Sequence, residues 1–145
     1  MEELNWSYLA GFIDADGTIS IRKNDKAGKS YRPYVSIANT NRDVLELFKY
    51  QLGRGAICTK KAKKENHSES YEVRWDHNVA LFICEHCYPY LTIKKARAEL
   101  LLSDWKLYTP RNGKYTDTLW RKKLDLVRNM RILNSRGSNN TCHSS

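Results

Sequence analysis

The chain's 145 residues, 41% of them hydrophobic, are enough for one domain with a substantial core. A formal net charge of +9, from 25 Lys+Arg against 16 Asp+Glu, favours a polyanionic partner, nucleic acid before membrane. No apolar run is long enough to span a bilayer, Met1 opens no signal-peptide pattern, and the four cysteines are too sparse for a disulfide scaffold, so an intracellular, reducing setting is expected.

Residues 5–15 fit a short helix. Trp6, Leu9 and Ile13 form one stripe at helical spacing, Tyr8 and Phe12 widen it, and Gly17 ends it. "TISIRKN" then alternates as a half-buried strand, with Ile19 and Ile21 on one face and Thr18, Ser20, Arg22 and Asn24 on the other. After a turn in "DKAGKS", "YRPYVSIAN" alternates again, with Val35 and Ile37 inward and Arg32, Tyr34 and Ser36 outward. A helix over about 41–52 is ended by Gly53 and Gly55.

Two further strands, "AICTKK" and "SYEVRWD", flank the polar loop "AKKENHSE"; Tyr71, Val73 and Trp75 face inward, and Glu72, Arg74 and Asp76 outward. Helices follow at about 78–87, 93–108 and 116–133. Residues 94–145 hold nearly all of the excess positive charge, whereas residues 1–93 are close to balance. Strand pairs separated by helices predict an α+β fold, a twisted antiparallel sheet with helices on one face and an αββαββα core extended by C-terminal helices. A single domain is expected over residues 1–133, with a disordered Ser/Asn-rich tail over 134–145. Cys84 and Cys87, near His77 and His86, have the C-x-x-C spacing of a zinc site. The missing second pair and the apolar surroundings favour buried thiols.

"LAGFIDADG", residues 9–17, resembles the nine-residue signature of the LAGLIDADG homing endonucleases, with Phe12 a common variant at its apolar position. The element order over about residues 5–108 is similar to the family's core, and "PYLTIKKARAELLL" resembles its late helix. One copy of the motif resembles the homodimeric branch. The small residues agree with that: Gly11 and Ala15 are four apart, with Ala10 beside them, so one helix face is nearly bare backbone on which a second copy can pack. The expected dimer interface is Ala10, Gly11, Asp14 and Ala15.

The resemblance implies that Asp16 is the metal ligand, with the main-chain carbonyl of Ala15 nearby, and that Asp14 hydrogen-bonds backbone across the helix pair. The alternative is that both aspartates merely cap and turn the chain. Oxygen ligands suit Mg²⁺, with Mn²⁺ as a substitute. By the same resemblance Lys94 supplies a catalytic cation and Asn39 a water-positioning amide, with Asn41 as rival, while Arg42 is a second cation or a surface arginine. Candidate DNA-reading residues are Ser20, Arg22 and Asn24 on the first strand, Arg32, Tyr34 and Ser36 on the second, Lys60 on the third, and Glu72 and Arg74 on the fourth. The expected activity is site-specific double-strand cleavage of DNA at a pseudo-palindromic target, leaving short 3′ overhangs and initiating intron homing. It would act in the compartment holding the host genome, organelle or prokaryotic cytoplasm. Rival readings are a maturase, whose partner is intron RNA, and a DNA-binding regulator without cleavage. Intact Asp16 and Lys94 favour the nuclease.

Overall fold

The computed structural model describes residues 4–24, 30–60 and 69–139, with side chains to residue 135. Most of the expected turn at 25–30 and loop at 62–69, and residues 140–145, lie outside the described residues. Its elements are α1 (Trp6–Asp16), β1 (Gly17–Lys23), β2 (Tyr31–Asn39), α2 (Arg42–Leu52), β3 (Ala56–Lys60), β4 (Ser70–Asp76), α3 (His77–Cys87), α4 (Lys95–Leu100) and α5 (Asp117–Asn139). The four strands form one antiparallel sheet in the order β1-β2-β4-β3. This is the expected α+β architecture. The registers Ile19↔Val35, Val35↔Trp75 and Ile37↔Val73 put the apolar residues of each strand on one face. That face is buried with Leu9 and Ile13 of α1, Leu45 and Phe48 of α2, and Ile83 and Cys84 of α3. No helix among the described residues is long and apolar enough to cross a membrane.

α1 runs into β1 without a loop. The Asn5 side chain caps its start by accepting from the Tyr8 N–H at 3.1 Å. At its end the Gly17 N–H donates to the Ile13 carbonyl. Gly17 has an ordinary φ of −103°, so what it provides is room: a Cβ there would lie 2.6 Å from Ile13 Cα and 2.9 Å from the Ser36 carbonyl oxygen. Only a glycine lets the helix end press so closely against β2, and this contact sets where the motif aspartates sit.

The helix expected over 93–108 divides into α4 and a π-helical stretch, Leu101–Trp105. The helix expected over 116–133 continues to Asn139, so the chain is still helical where a tail is expected to begin. α5 docks through Leu126, Val127 and Met130, all buried, and through Lys123, which is only 1% exposed. The Lys123 ammonium lies 3.4 Å from the centre of the Trp105 ring and donates to Thr109 Oγ1. Burial pulls its pKa from 10.5 down to about 8.

Below about pH 8 Lys123 is charged in both the folded and the unfolded chain, and the full cost of burying the charge is borne. Between about 8 and 10.5 the unfolded chain holds the proton more tightly, so this residue's effect on stability improves as pH rises. Lys123→Met should therefore stabilise the fold at pH 7 by on the order of 1–3 kcal/mol, with the difference from wild type fading by pH 10.5. Urea unfolding of both proteins across that range checks this; a difference independent of pH would contradict it.

Candidate active site at the end of α1

Asp16 is exposed at the C-terminus of α1. Its Oδ2 accepts from Asn39 Nδ2 at 3.0 Å, and the Asn39 carbonyl oxygen Oδ1 accepts from the Asn41 N–H at 2.7 Å. Asn39 is thus the amide beside the carboxylate, held from both ends. Asn41, its rival, is the N-cap of α2, where its side chain accepts from the Val44 N–H at 3.3 Å. Arg42 opens α2, pairs with Glu46 at 3.2 Å and lies over the Tyr71 ring. Tyr71 is the register partner of Asn39, so Arg42 flanks the site through that ring, with no bond to Asp16 of its own.

The two carboxylate oxygens of Asp14 accept from the Thr92 N–H at 2.8 Å and the Lys94 N–H at 3.0 Å, inside the same chain. It caps the approach to α4, so within its own chain the carboxylate serves backbone. The interaction is reciprocal, because Lys94 Nζ donates to the carbonyls of Ile13 and Asp14 at 2.9 and 2.7 Å. A cation is therefore already in place at the negative end of the α1 dipole, where two aspartates would otherwise stand uncompensated. Burial, and then the charge of Arg97, lower the Lys94 pKa, while Asp14 and Asp16 oppose the shift. Beside it opens a cleft of about 580 Å³ between α1, α4 and the sheet, which Ala15, Thr18, Ser20, Tyr34, Lys94 and Asn134 help to line.

On the far side of α1, Ser7, Tyr8, Gly11, Ala15 and Asp16 are exposed along one stripe, beside a shallow cleft of about 420 Å³. Tyr8, expected to widen the buried stripe, is 48% exposed. Ala10, expected at the interface, is fully buried in the chain's own core, because at helical spacing it falls beside Leu9 and Ile13. Gly11 is different. A Cβ there would meet nothing within 4 Å, so nothing within the described chain requires glycine at this mid-helix position, which costs about 0.5–1 kcal/mol relative to alanine.

The sheet's other face carries the candidate DNA-reading residues. Arg22 and Arg74 both lie over the Tyr34 ring, 5.9 and 5.8 Å from its centre. Arg74 and Lys60 both pair with Glu72, at 3.0 and 3.1 Å, and Arg32 pairs with Asp76 at 3.9 Å. Burial alone would raise the Glu72 pKa, but the hydrogen bonds from Arg74 and Lys60 outweigh it and hold the group below the usual value. The acids thus splay and orient the basic side chains. Asn24, past the end of β1, is exposed and donates to the Tyr31 carbonyl at 3.3 Å. Ser36 is corrected: it lies on this face but is only 4% exposed, between Thr18 and Arg74 in the register.

Cys84 and Cys87 are buried in the core, and desolvation pushes both thiols up to about 12. Sequence reasoning missed Arg97 and Asn134. Arg97, 6% exposed, donates to the carbonyls of Ile93 and Leu133 and to Asn134 Oδ1. The signal for Asn134 was its place four residues after Met130, on the stripe of Lys123, Leu126, Val127 and Met130.

If Asp14 locks α1 to α4, Asp14→Ala should cost about 1.5–3 kcal/mol by chemical denaturation, since two main-chain donors lose a charged acceptor. Asp14→Asn, whose oxygen can still serve one of them, should cost less; equal costs would count against the lock.

The family model described as LAGLIDADG endonuclease matches residues 9–117. No curated protein sequence matches the chain. Among solved structures, the homing endonuclease I-CvuI in complex with its target is similar at 25% identity, with a TM-score of 0.67 over 88% of this chain and 80% of that one. The homing endonuclease I-TnaI is similar at 22% identity, with a TM-score of 0.64 over 96% of this chain and 99% of that one. The archaeal intron-encoded homing endonuclease I-Vdi141I, solved with DNA, is similar at 22% identity, with a TM-score of 0.60 over 88% of this chain and 82% of that one. A helix ending in two aspartates, wedged onto an antiparallel sheet and matched by the family's own model over most of the chain, makes this protein a member of the LAGLIDADG endonucleases, a family of DNA-cleaving enzymes.

Proposed function

We propose that the protein is a homodimeric, divalent-metal-dependent endonuclease that cuts both strands of a pseudo-palindromic DNA site and so initiates homing of its intron. The observation that carries this is Asp16: an exposed carboxylate oriented by Asn39 at the end of a helix whose free side, around Gly11, is bare. Asp16, with the main-chain carbonyl of Ala15, is an oxygen donor set suited to Mg²⁺ or Mn²⁺. Among the described residues no three His, Cys, Asp or Glu side chains gather to hold a metal ion. One chain therefore brings one carboxylate, and a second copy and the DNA phosphate fill the remaining positions. When bound, the metal supplies Lewis-acid stabilisation of charge on the phosphate. I-CvuI has been solved with its target in the presence of 2 mM Ca, in keeping with a divalent ion here.

The chain's own residues do the rest. Asn39 fixes the Asp16 carboxylate. Lys94 holds positive charge at the end of α1, where Asp16 feels it and where it can act on negative charge developing on phosphate oxygens. Arg22, Tyr34, Arg74 and Lys60 form a preorganised surface for the major groove, with Glu72 setting the directions of Arg74 and Lys60. Twofold pairing about α1 brings two Asp16 side chains near one axis and gives each sheet one half-site, so protein symmetry is mirrored in the target.

Asp16→Asn should abolish cleavage while DNA affinity stays within about tenfold, because the lost charge serves the metal and not docking. Cleavage assays beside binding titrations check this, and full cleavage by the variant would remove the proposed centre. Gly11→Leu should leave the chain folded, since a side chain there has open space and leucine favours helix. It should instead abolish dimerisation and cleavage together. A monomer by ultracentrifugation that still cuts both strands would overturn the dimer.

A further inference from the structure

We infer that Asn134 is a specificity-determining residue that positions the Ser20 hydroxyl, turning its O–H outward as a donor to the DNA. The inference rests on the proposed reading of the sheet's open face as the DNA-reading surface. Asn134 comes from the C-terminal helix, 114 positions from Ser20 in the chain, yet its Nδ2 lies 3.1 Å from Ser20 Oγ.

Chemistry fixes which end of the carboxamide faces Ser20. The Arg97 guanidinium has only donors, and its Nε is 2.7 Å from Asn134 Oδ1. The Ile19 carbonyl can only accept, and it is 3.3 Å from Asn134 Nδ2. A flipped amide would set donor against donor and acceptor against acceptor. Nδ2 therefore donates to Ser20 Oγ. Arg97 is itself immobilised, 6% exposed and held by the carbonyls of Ile93 and Leu133 at 3.1 and 3.0 Å. The clamp thus rests on one buried guanidinium, with Asn134 and Ser20 half-buried beside it.

A hydroxyl whose oxygen accepts from Asn134 has its own hydrogen left for another partner. Ser20 is half-buried and lines the open cleft beside Tyr34, Thr18 and Lys94, where DNA on the sheet would reach it. A serine held this way suits acceptor edges, guanine O6 and N7 or thymine O4, better than the cytosine amino group, because one of its two lone pairs is already taken. A freely rotating serine would tolerate both. Asn134 acts through Ser20.

The test is selection of cleavable sites from a randomised target library with wild type, Ser20→Ala, Asn134→Ala and the double variant. Ser20→Ala is expected to relax preference at one base pair in each half-site. Asn134→Ala should relax the same pair, by about threefold to tenfold, and the double variant should look like Ser20→Ala alone there. Other positions should keep their preferences. The proposal is overturned if Asn134→Ala leaves that pair unchanged, or lowers cleavage evenly on all targets, as a purely structural residue would. If Ser20→Ala shifts no preference at all, the reading of the sheet face fails and the inference falls with it. Should Asn134→Ala not fold, Asn134→Asp keeps the size and the Arg97 partner but offers Ser20 an acceptor. Preference should then move toward the amino groups of cytosine or adenine, and an unmoved preference overturns the proposal.

Discussion

Asp14 and Lys94 hold each other's backbone. The Asp14 carboxylate takes two N–H groups at the approach to α4, and the Lys94 ammonium takes two carbonyls at the end of α1. Each group completes a helix terminus that the other would leave with orphaned polar atoms. This lock ties the start of the chain to its second half, some eighty residues away. It also ends α1 at a fixed height above the sheet, so Asp16, two residues further on, projects past the lock beside Asn39. The two aspartates of the motif have divided the work: the first builds the site and the second is presented by it.

In the proposed dimer the same helix has to satisfy two partners. Leu9, Ala10 and Ile13 are consumed by the chain's own core, and Gly17 lets the helix end press on β2. Gly11 and Ala15 are left facing out, in a place where the chain itself imposes no need for small residues. On the sheet, the arrangement is also one of directed charge. Glu72 and Asp76 cost some attraction for phosphate, but they hold Arg74, Lys60 and Arg32 in set directions, as a selective surface requires and a nonspecific one does not.

Much of this was legible in the residues. The alternation of "YRPYVSIAN" and "SYEVRWD" placed β2 and β4 to the residue, because a half-buried strand leaves a period of two in the chain. The motif pointed to Asp16, and the end of β2 pointed to Asn39. What could not be read was which distant backbone a side chain would meet. The partners of Asp14 at Thr92 and Lys94 are brought to it only by the tertiary fold. Ala10 was misassigned for a simpler reason, since a small residue on a helix reads equally as a bare face or as a tight core contact. Asn134 was hidden by its Ser/Asn-rich surroundings, although the buried stripe of α5 runs straight into it.

The central claim is that the face of α1 bearing Gly11 and Ala15 meets its own copy, so that two Asp16 carboxylates share one axis. Engineered disulfide formation across that face tests it most directly. With Cys58 and Cys142 replaced by serine, Gly11→Cys or Ala15→Cys should yield a covalent dimer under mild oxidation at low protein concentration, since a close helix crossing brings at least one symmetry-related pair within bridging distance. A protein that stays monomeric at both positions while still cutting both strands of its target would contradict the account.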